Sequence, residues 1–427
     1  MRVTSILFSM LILASLWAVP FPVWPLEAEW GGHFRVQESL SHYDDEHVVG
    51  LVQDRDLLWD GATDFRLKST LFFSERLTLD VHYETGISAG DTRDASEELT
   101  SLTGLSLTSP PPSDDGRILS LTKVLRDRAG QMMYHRIDRL LAAYAGDRFS
   151  FRIGRQALSW GNGLIFNPLD LLNPFSPTDV IRDYKEGTDM LIFQTFGEHI
   201  MDFQAVWVPR RDTTRNRIRA EESSFAAKMR IQALGNEWDI MAARHYDDTV
   251  IGLGTLGYLG DAAWRADIIW THLEDDDAEK NSTFSAVLDL DYSWIWKDKN
   301  WYGLIEFYYN GLGQDNPLDA LSKPALSERM ARGEIFISGR WYLASRLKYE
   351  AHPLLICYLV SVWNLEDRSA MFQPYIAWDA AEPLRVFLGA TLPVGGSGSE
   401  FGDISVPGTD KSSGSPSRLY FQVTYFF

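Results

Sequence analysis

The last ten residues of the chain, Arg418 to Phe427, alternate apolar and polar side chains and end on an aromatic residue. Leu419, Phe421, Val423, Tyr425 and Phe427 share one face of the strand that this spacing predicts, because successive side chains of a strand point to opposite sides. A face built from Leu, Val and three aromatics needs either a second protein layer or lipid against it.

The other end of the chain favours lipid. Met1 and Arg2 precede a stretch from Ser5 to Val19 without a charged residue, Pro20, Pro22 and Pro25 then break any helix, and Leu26-Glu27-Ala28 offers a small residue for cleavage. Residues 1–28 are therefore expected to be an export signal and 29–427 one mature domain. An uncleaved anchor is the alternative, but the prolines leave too short a helix to span. Seen beside an export signal, the final strand resembles the terminal strand of bacterial outer-membrane β-barrels, whose last Phe is read by the insertion machinery. That resemblance implies that Tyr425 and Phe427 carry the insertion signal. It also implies a Gram-negative outer-membrane location, with outer-membrane lipids and the insertion machinery as partners.

The chain has 427 residues, yet no linker divides it and no βαβ alternation appears, so one domain is expected. Aromatics make up 13% of it, with 15 Trp and 17 Tyr, as two interfacial girdles require. A mean hydropathy of -0.18 excludes a bundle of membrane helices. Cys357 stands alone, so no intramolecular disulfide forms. A net charge of -19 disfavours nucleic acid as a partner. The acidic runs Asp44-Asp45-Glu46, Glu97-Glu98, Asp114-Asp115, Glu221-Glu222 and Glu274 to Asp277 fall between strand-like stretches and read as solvated loops.

Period-two alternation recurs along the chain. Phe65, Leu67, Leu71 and Phe73 oppose Arg66, Lys68 and Thr70, and Leu77, Leu79, Val81 and Tyr83 oppose Asp80, His82 and Glu84. Trp264, Ala266, Ile268 and Trp270 oppose Arg265 and Asp267, and Leu288, Leu290 and Tyr292 oppose Asp289 and Asp291. Short turns such as Gly146-Asp147 and Gly260-Asp261 take turns with mostly longer connectors, the outer-membrane pattern. Expected strands include 32–39, 63–73, 135–145, 333–343 and 353–363, with Pro353 at the first position of the last. The fold class expected is all-β: a single transmembrane antiparallel up-and-down β-barrel of about 16–18 strands. A barrel of that size has room for an aqueous channel.

One connector breaks the alternation. It runs from Gly154-Arg155-Gln156 through Trp160-Gly161-Asn162-Gly163, Asn167-Pro168-Leu169-Asp170 and Asn173-Pro174 to Asp189. Asn167 and Pro168 predict a short helix that Pro174 ends. Leu164, Ile165, Phe166, Leu169, Leu171, Leu172 and Phe175 are too many apolar groups for a loop in water. The segment 156–186 is expected to fold inward and narrow the channel, with Arg155, Gln156, Trp160, Asn162, Asn167, Asp170, Asn173, Arg182, Asp183 and Lys185 at the constriction. A loop that merely caps the barrel is the competing reading and stays open here.

The same segment resembles a motif of poorly characterised porin-like outer-membrane proteins, including relatives of alginate-export barrels. The resemblance implies transport through the barrel, in which periplasmic or inner-membrane partners would take part if the direction is export. Lumen-facing candidates from the alternation are Arg66, Lys68, Lys228, Arg230 and Arg265 on the basic side. On the acidic side they are Asp80, Glu84, Asp202, Asp267, Asp289, Asp291 and Glu306. Such residues either meet solute or pair across strands as braces. His-Glu-x-x-His is absent and His82 between Asp80 and Glu84 reads as strand alternation, so neither catalysis nor a metal or cofactor is expected. Competing functions are a component of a lipid or hydrophobic-compound export system and a plugged adhesive barrel, with the Pro-rich 109–113 stretch as an exposed arm.

Overall fold

The computed structural model describes residues 27–427 apart from 129, 178, 180, 182, 183, 198–200, 275–280, 407 and 408. The leader expected over 1–28 thus falls, through residue 26, outside the described residues; Glu27 and Ala28 pair with Phe72 and Leu71. The first strands are β1 (Glu27–His42), β2 (Leu57–Ser74), β3 (Leu77–Gly90), β4 (Thr122–Arg128), β5 (Gln131–Ala145), β6 (Phe149–Gln156) and β7 (Thr188–Phe196). They are followed by β8 (Met201–Val208), β9 (Ser224–Ala233), β10 (Asn236–His245), β11 (Asp248–Leu259), β12 (Ala262–His272), β13 (Ser282–Trp296) and β14 (Lys299–Asn310). The last are β15 (Trp341–His352), β16 (Leu355–Asn364), β17 (Ser369–Ala381), β18 (Leu384–Val394), the small hairpin β19 (Asp403–Ser405) with β20 (Ser412–Gly414), and β21 (Ser417–Phe426). Helices α1 (Asp91–Thr103), α2 (Pro317–Ser322) and α3 (Pro324–Ala331) lie in connectors.

Wall strands pair antiparallel with their neighbours in sequence, and β1 closes the ring on β21 from His33↔Phe426 to His42↔Ser417. Among the described residues the result is an 18-strand closed barrel. β4 stands outside that count because it pairs only with the upper end of β5, while β6 takes Leu140 to Ala145 below it. Closure removes sheet edges and gives backbone groups partners where hydrocarbon offers none. The long connectors 91–121, 157–187, 209–223, 311–340 and 395–416 gather at one end, the extracellular end in this architecture.

The alternation sorts lipid from lumen. Leu288 and Leu290 are 54% and 48% exposed, whereas Val287 and Asp289 between and beside them are 3% and 1%. Rings gather on the outer face at two heights: Phe284, Tyr309 and Trp341 at one (4.7 and 4.4 Å), and Trp294, Trp301 and Tyr349 at the other (6.2 and 4.5 Å). Ten residues separate Phe284 from Trp294, about 33 Å of strand at ~3.3 Å per residue. At a tilt of about 40° this projects to about 25 Å, the height of an apolar band in such barrels.

Three local expectations need correction. The strand expected over 333–343 is β15 at Trp341–His352, and the alternating Ile335 and Ile337 belong to a connector packed inside the barrel with Phe166, Leu304 and Tyr308. Burial within the lumen imitates strand periodicity there. Pro353 lies in the turn between β15 and β16 rather than in a strand. The helix expected after Asn167 is a single turn at Pro168-Leu169, because the Asn167 amide donates to the Trp160 carbonyl (2.8 Å) instead of capping N–H groups.

Leu288 sits between the two aromatic levels on the lipid face. Leu288→Arg is expected to destabilise the barrel by about 2–4 kcal/mol in urea titrations in lipid vesicles. The same substitution at Leu259, beside a turn, should cost far less.

Candidate functional site

The connector 157–187 enters the lumen from the top of β6 and is held there chiefly by its own backbone. The N–H groups of Asn162 and Gly163 donate to Asp267 on β12 (2.6 and 3.2 Å), and those of Leu164, Ile165 and Phe166 donate to Glu306 on β14 (2.9, 3.1 and 2.5 Å). Consecutive N–H groups pointing one way form a nest for an anion, and two wall carboxylates fill it. The Trp-Gly-x-Gly sequence makes this geometry accessible: Gly161 has φ +84°, and a Cβ there would lie 2.0 Å from the Asn167 side-chain oxygen. Asn173 ties the far part of the loop, donating to the Glu186 carbonyl (3.1 Å) and accepting from the Leu158 N–H (3.4 Å).

Apolar loop residues then cover one side of the lumen. Leu158, Trp160, Leu169 and Leu172 pack on inner-face residues of β7 to β12 such as Ile192, Val206, Met241 and Ile269. Ile165 and Phe166 pack on β13 to β17 through Val287, Leu304, Tyr308 and Tyr342, with Phe166 stacked 4.6 Å from Tyr308.

The return leg reaches the opposite wall, where a bulge shapes the charges. His82 pairs with Arg139 and Tyr83 with Ile137, so Asp138 is an extra residue in β5. A bulge resets which side chains face inward, and Arg136, Asp138 and Arg139 all meet the same cluster. Arg66 pairs with Glu84 (3.0 Å) and Asp138 (2.5 Å), Arg136 pairs with Glu84 (2.9 Å), and Arg139 with Asp138 (2.6 Å). Tyr184 of the loop donates to Glu84 (3.0 Å) and lays its ring 3.7 Å from the Arg66 guanidinium. Gly187 donates its N–H to Asp138 (3.0 Å). Each buried charge is compensated, as burial demands.

Many sequence-selected residues therefore brace the lumen. Arg155 is 1% exposed and pairs with Asp189 (2.8 Å) and Asp114 (2.6 Å). Asp114, read from sequence as a solvated loop acid, is instead part-buried; although burial opposes it, Arg155 and the N–H groups of Thr122 and Leu121 hold its carboxyl below the usual range. Gln156 donates to the Met190 carbonyl (3.2 Å), Trp160 donates its indole N–H to Gln204, and Asp170 pairs with Lys185. Burial pushes the Asp170 carboxyl up to about 6 against the pull of Lys185. Arg182 and Asp183 lie outside the described residues.

Lower in the lumen, Lys228 and Arg230 converge on Asp239 (3.4 and 2.7 Å), and Arg265 bridges Asp289 and Asp291 (2.8 and 2.5 Å). Asp80 accepts from Thr70 (2.5 Å), while Lys68 and Asp202 are exposed. Asp239 alternates with Trp238 and Ile240 and was legible by the same rule; Asp138 and Tyr184 were not. The stretch Gly86-Ile87-Ser88-Ala89-Gly90 has the spacing of a serine-hydrolase elbow, yet Ser88 sits in the ladder between Ala62 and Met132 and its hydroxyl meets no imidazole.

Beside the loop a polar cavity of about 640 Å³ runs along β1 to β5 and β17 to β21, bounded by Arg35, Asp64, Glu84, Arg136, Tyr184, Arg418 and Tyr420. A separate vestibule of about 540 Å³ lies among the long connectors, around Lys185, Asp189, Arg210 and Arg332.

With this geometry in view, the fold is that of porin-like outer-membrane β-barrels. Acinetobacter baumannii OccAB3 superposes with a TM-score of 0.53 at 10% identity, over 94% of this chain and 99% of that one. Pseudomonas aeruginosa OccK5 (OpdH) gives 0.52 at 10%, over 93% and 98%. A BenF-like porin from Pseudomonas fluorescens Pf-5 gives 0.50 at 9%, over 94% and 98%. No protein-family model and no curated protein sequence matches the chain. The likeness is one of fold.

Glu306→Gln is expected to weaken loop docking by about 1–3 kcal/mol, since three N–H donors lose a charged acceptor. Larger or noisier single-channel currents would report it, and unchanged currents would mean that apolar contacts alone hold the loop. Docked Asp170 keeps its proton to a higher pH than a solvated carboxyl of about 3.9. Docking should therefore gain stability as pH falls from about 6 to about 4 and lose it on return. Loop noise is expected to be lower at pH 5 than at pH 7.5, and Asp170→Asn should reduce the difference.

Proposed function

We propose that the chain is a passive outer-membrane channel for small polar solutes, with a water-filled lumen narrowed by the loop 156–186. The observation that carries this reading is the polar cavity of about 640 Å³ left beside a loop that is docked on the wall rather than filling the barrel. Selection then rests on diameter and on the field between opposed charges. In this reading Lys68, Asp80, Asp202, Arg230, Arg265 and Asp291 meet the solute. Arg66, Glu84, Arg155, Asp170, Asp267, Asp289 and Glu306 keep wall and loop in place.

A lining of paired charges offers nothing to an acyl chain, so export of a hydrophobic compound ranks below passage of polar solutes. The finer likeness to alginate-export barrels, with periplasmic and inner-membrane partners, belongs to that lower-ranked reading. Residues 1–28 act in our reading as a removable leader, and Tyr425 and Phe427 as the mark for the insertion machinery. Phe427 stacks on Phe65 (5.8 Å), so the mark also seals the base of the seam.

The purified barrel is expected to conduct ions in planar bilayers and to admit small sugars and amino acids in liposome-swelling assays at rates that fall with solute size. Lys68→Glu should shift the reversal potential toward cation selectivity. A barrel that passes neither ions nor solutes would overturn the reading in favour of a plugged one.

A further inference from the structure

Side chains on the lumen wall mostly engage one another, but one row of them does not. Tyr302 on β14 pairs in register with Lys348, Lys348 with Tyr358, Tyr358 with Tyr375, Tyr375 with Gly389 and Gly389 with Tyr420, a continuous row from β14 to β21. These positions face inward, since Leu347, Leu359, Ile376 and Leu419 beside them are exposed on the lipid face. A row that runs across tilted strands climbs the barrel. Five steps of ~4.8 Å make about 24 Å, and a tilt of about 40° turns this into a rise of about 15 Å. Tyr302, at the lower end, stands just after the periplasmic turn at Lys297-Asp298, and Tyr420, at the upper end, borders the polar cavity of about 640 Å³.

The row offers groups that the protein itself leaves unused. Tyr358 and Tyr375 stack at 4.6 Å, and both are half-buried, as is Tyr302. Gly389 lets the next ring in: a Cβ there would lie 2.4 Å from the Tyr420 hydroxyl and 2.6 Å from the Tyr375 Cβ. Tyr420 is 2% exposed and its hydroxyl meets no hydrogen-bond partner, although buried hydroxyls are ordinarily paired. Among the described residues the hydroxyls of Tyr302, Tyr358 and Tyr375 meet none either. Lys348, and Arg346 above it on β15, make no ion pair among the described residues, and the Arg346 Nε is buried without an acceptor.

We propose that this row is a binding track for an oligosaccharide that passes between the cavity beside the loop and the periplasmic mouth. Apolar C–H faces of a sugar lie against phenol rings, and its hydroxyls exchange hydrogen bonds with phenol hydroxyls and with the donors of Lys348 and Arg346. Stations recur at one or two strand spacings, about 5 or 10 Å, the scale on which ring follows ring in a sugar chain. A single small solute would need one station, not four. The inference deepens the channel reading and rests on its water-filled lumen.

The test is isothermal titration calorimetry of the full barrel in neutral detergent with maltohexaose, cellohexaose and hexagalacturonate, beside current recordings in planar bilayers with the same sugars. At least one hexasaccharide is expected to bind, more tightly than its disaccharide. Tyr358→Ser with Tyr375→Ser should weaken that binding by roughly 10- to 100-fold. Tyr358→Phe with Tyr375→Phe, which keeps the rings, should weaken it by no more than about tenfold. Gln232→Ala, on another part of the wall, should leave it unchanged. Failure of all three hexasaccharides to bind, equal affinity of the double serine variant, or equal affinity of disaccharide and hexasaccharide would each overturn the proposal. So would benzoate binding that needs the same rings while the sugars bind without them. In bilayers the bound hexasaccharide should interrupt the ion current. A barrel that binds the sugar through these rings and conducts no ions supports the track while sinking the channel, so the two failures are told apart.

Discussion

Hydrocarbon offers a peptide group no hydrogen-bond partner, and the rest of the structure follows from that. Every N–H and C=O at membrane depth must pair within the chain, which rules out an open sheet. β1 and β21 consequently meet, and the ring they close is wide enough to hold water. The same demand reappears inside the lumen in miniature. A loop that leaves its ladder brings unpaired N–H groups with it, and Asp267 and Glu306 accept five of them in succession.

Charges inside the barrel hold wall and loop together. The Arg66, Glu84, Arg136 and Asp138 side chains are at most 4% exposed and contact one another in alternating sign. Such a network contributes little net stability over an apolar one, but removing one member leaves another buried and uncompensated. It therefore fixes geometry: Tyr184 is drawn to Glu84 and Arg66, and the return leg of the loop with it. The inner loop thus touches opposite walls, through backbone N–H groups on one side and through side chains on the other. The space left over is the polar cavity along β1 to β5 and β17 to β21.

Where sequence reading and structure part, a physical cause is visible. Strand alternation in β13 and β14 was legible because each residue has one neighbour, lipid or lumen, and the residue type matches it. The β5 stretch blurred because Asp138 is an inserted residue, and an insertion shifts the parity of everything beyond it. Ile335 and Ile337 alternated for a different reason, facing an apolar layer inside the barrel that the inward loop itself supplies. Asp114 looked like a solvated acid because its partner Arg155 lies forty-one residues away, a separation over which spacing carries no information.

By itself the amino-acid order determined the medium of each face, the antiparallel up-and-down plan, the barrel's approximate size and the loop that does not belong to the wall. These depend on local periodicity, and periodicity is written residue by residue. Only the tertiary structure decided which charges pair, where the bulge falls and on which wall the loop comes to rest. Those depend on groups far apart in the chain arriving at one place, and they arrive only after the ring has closed.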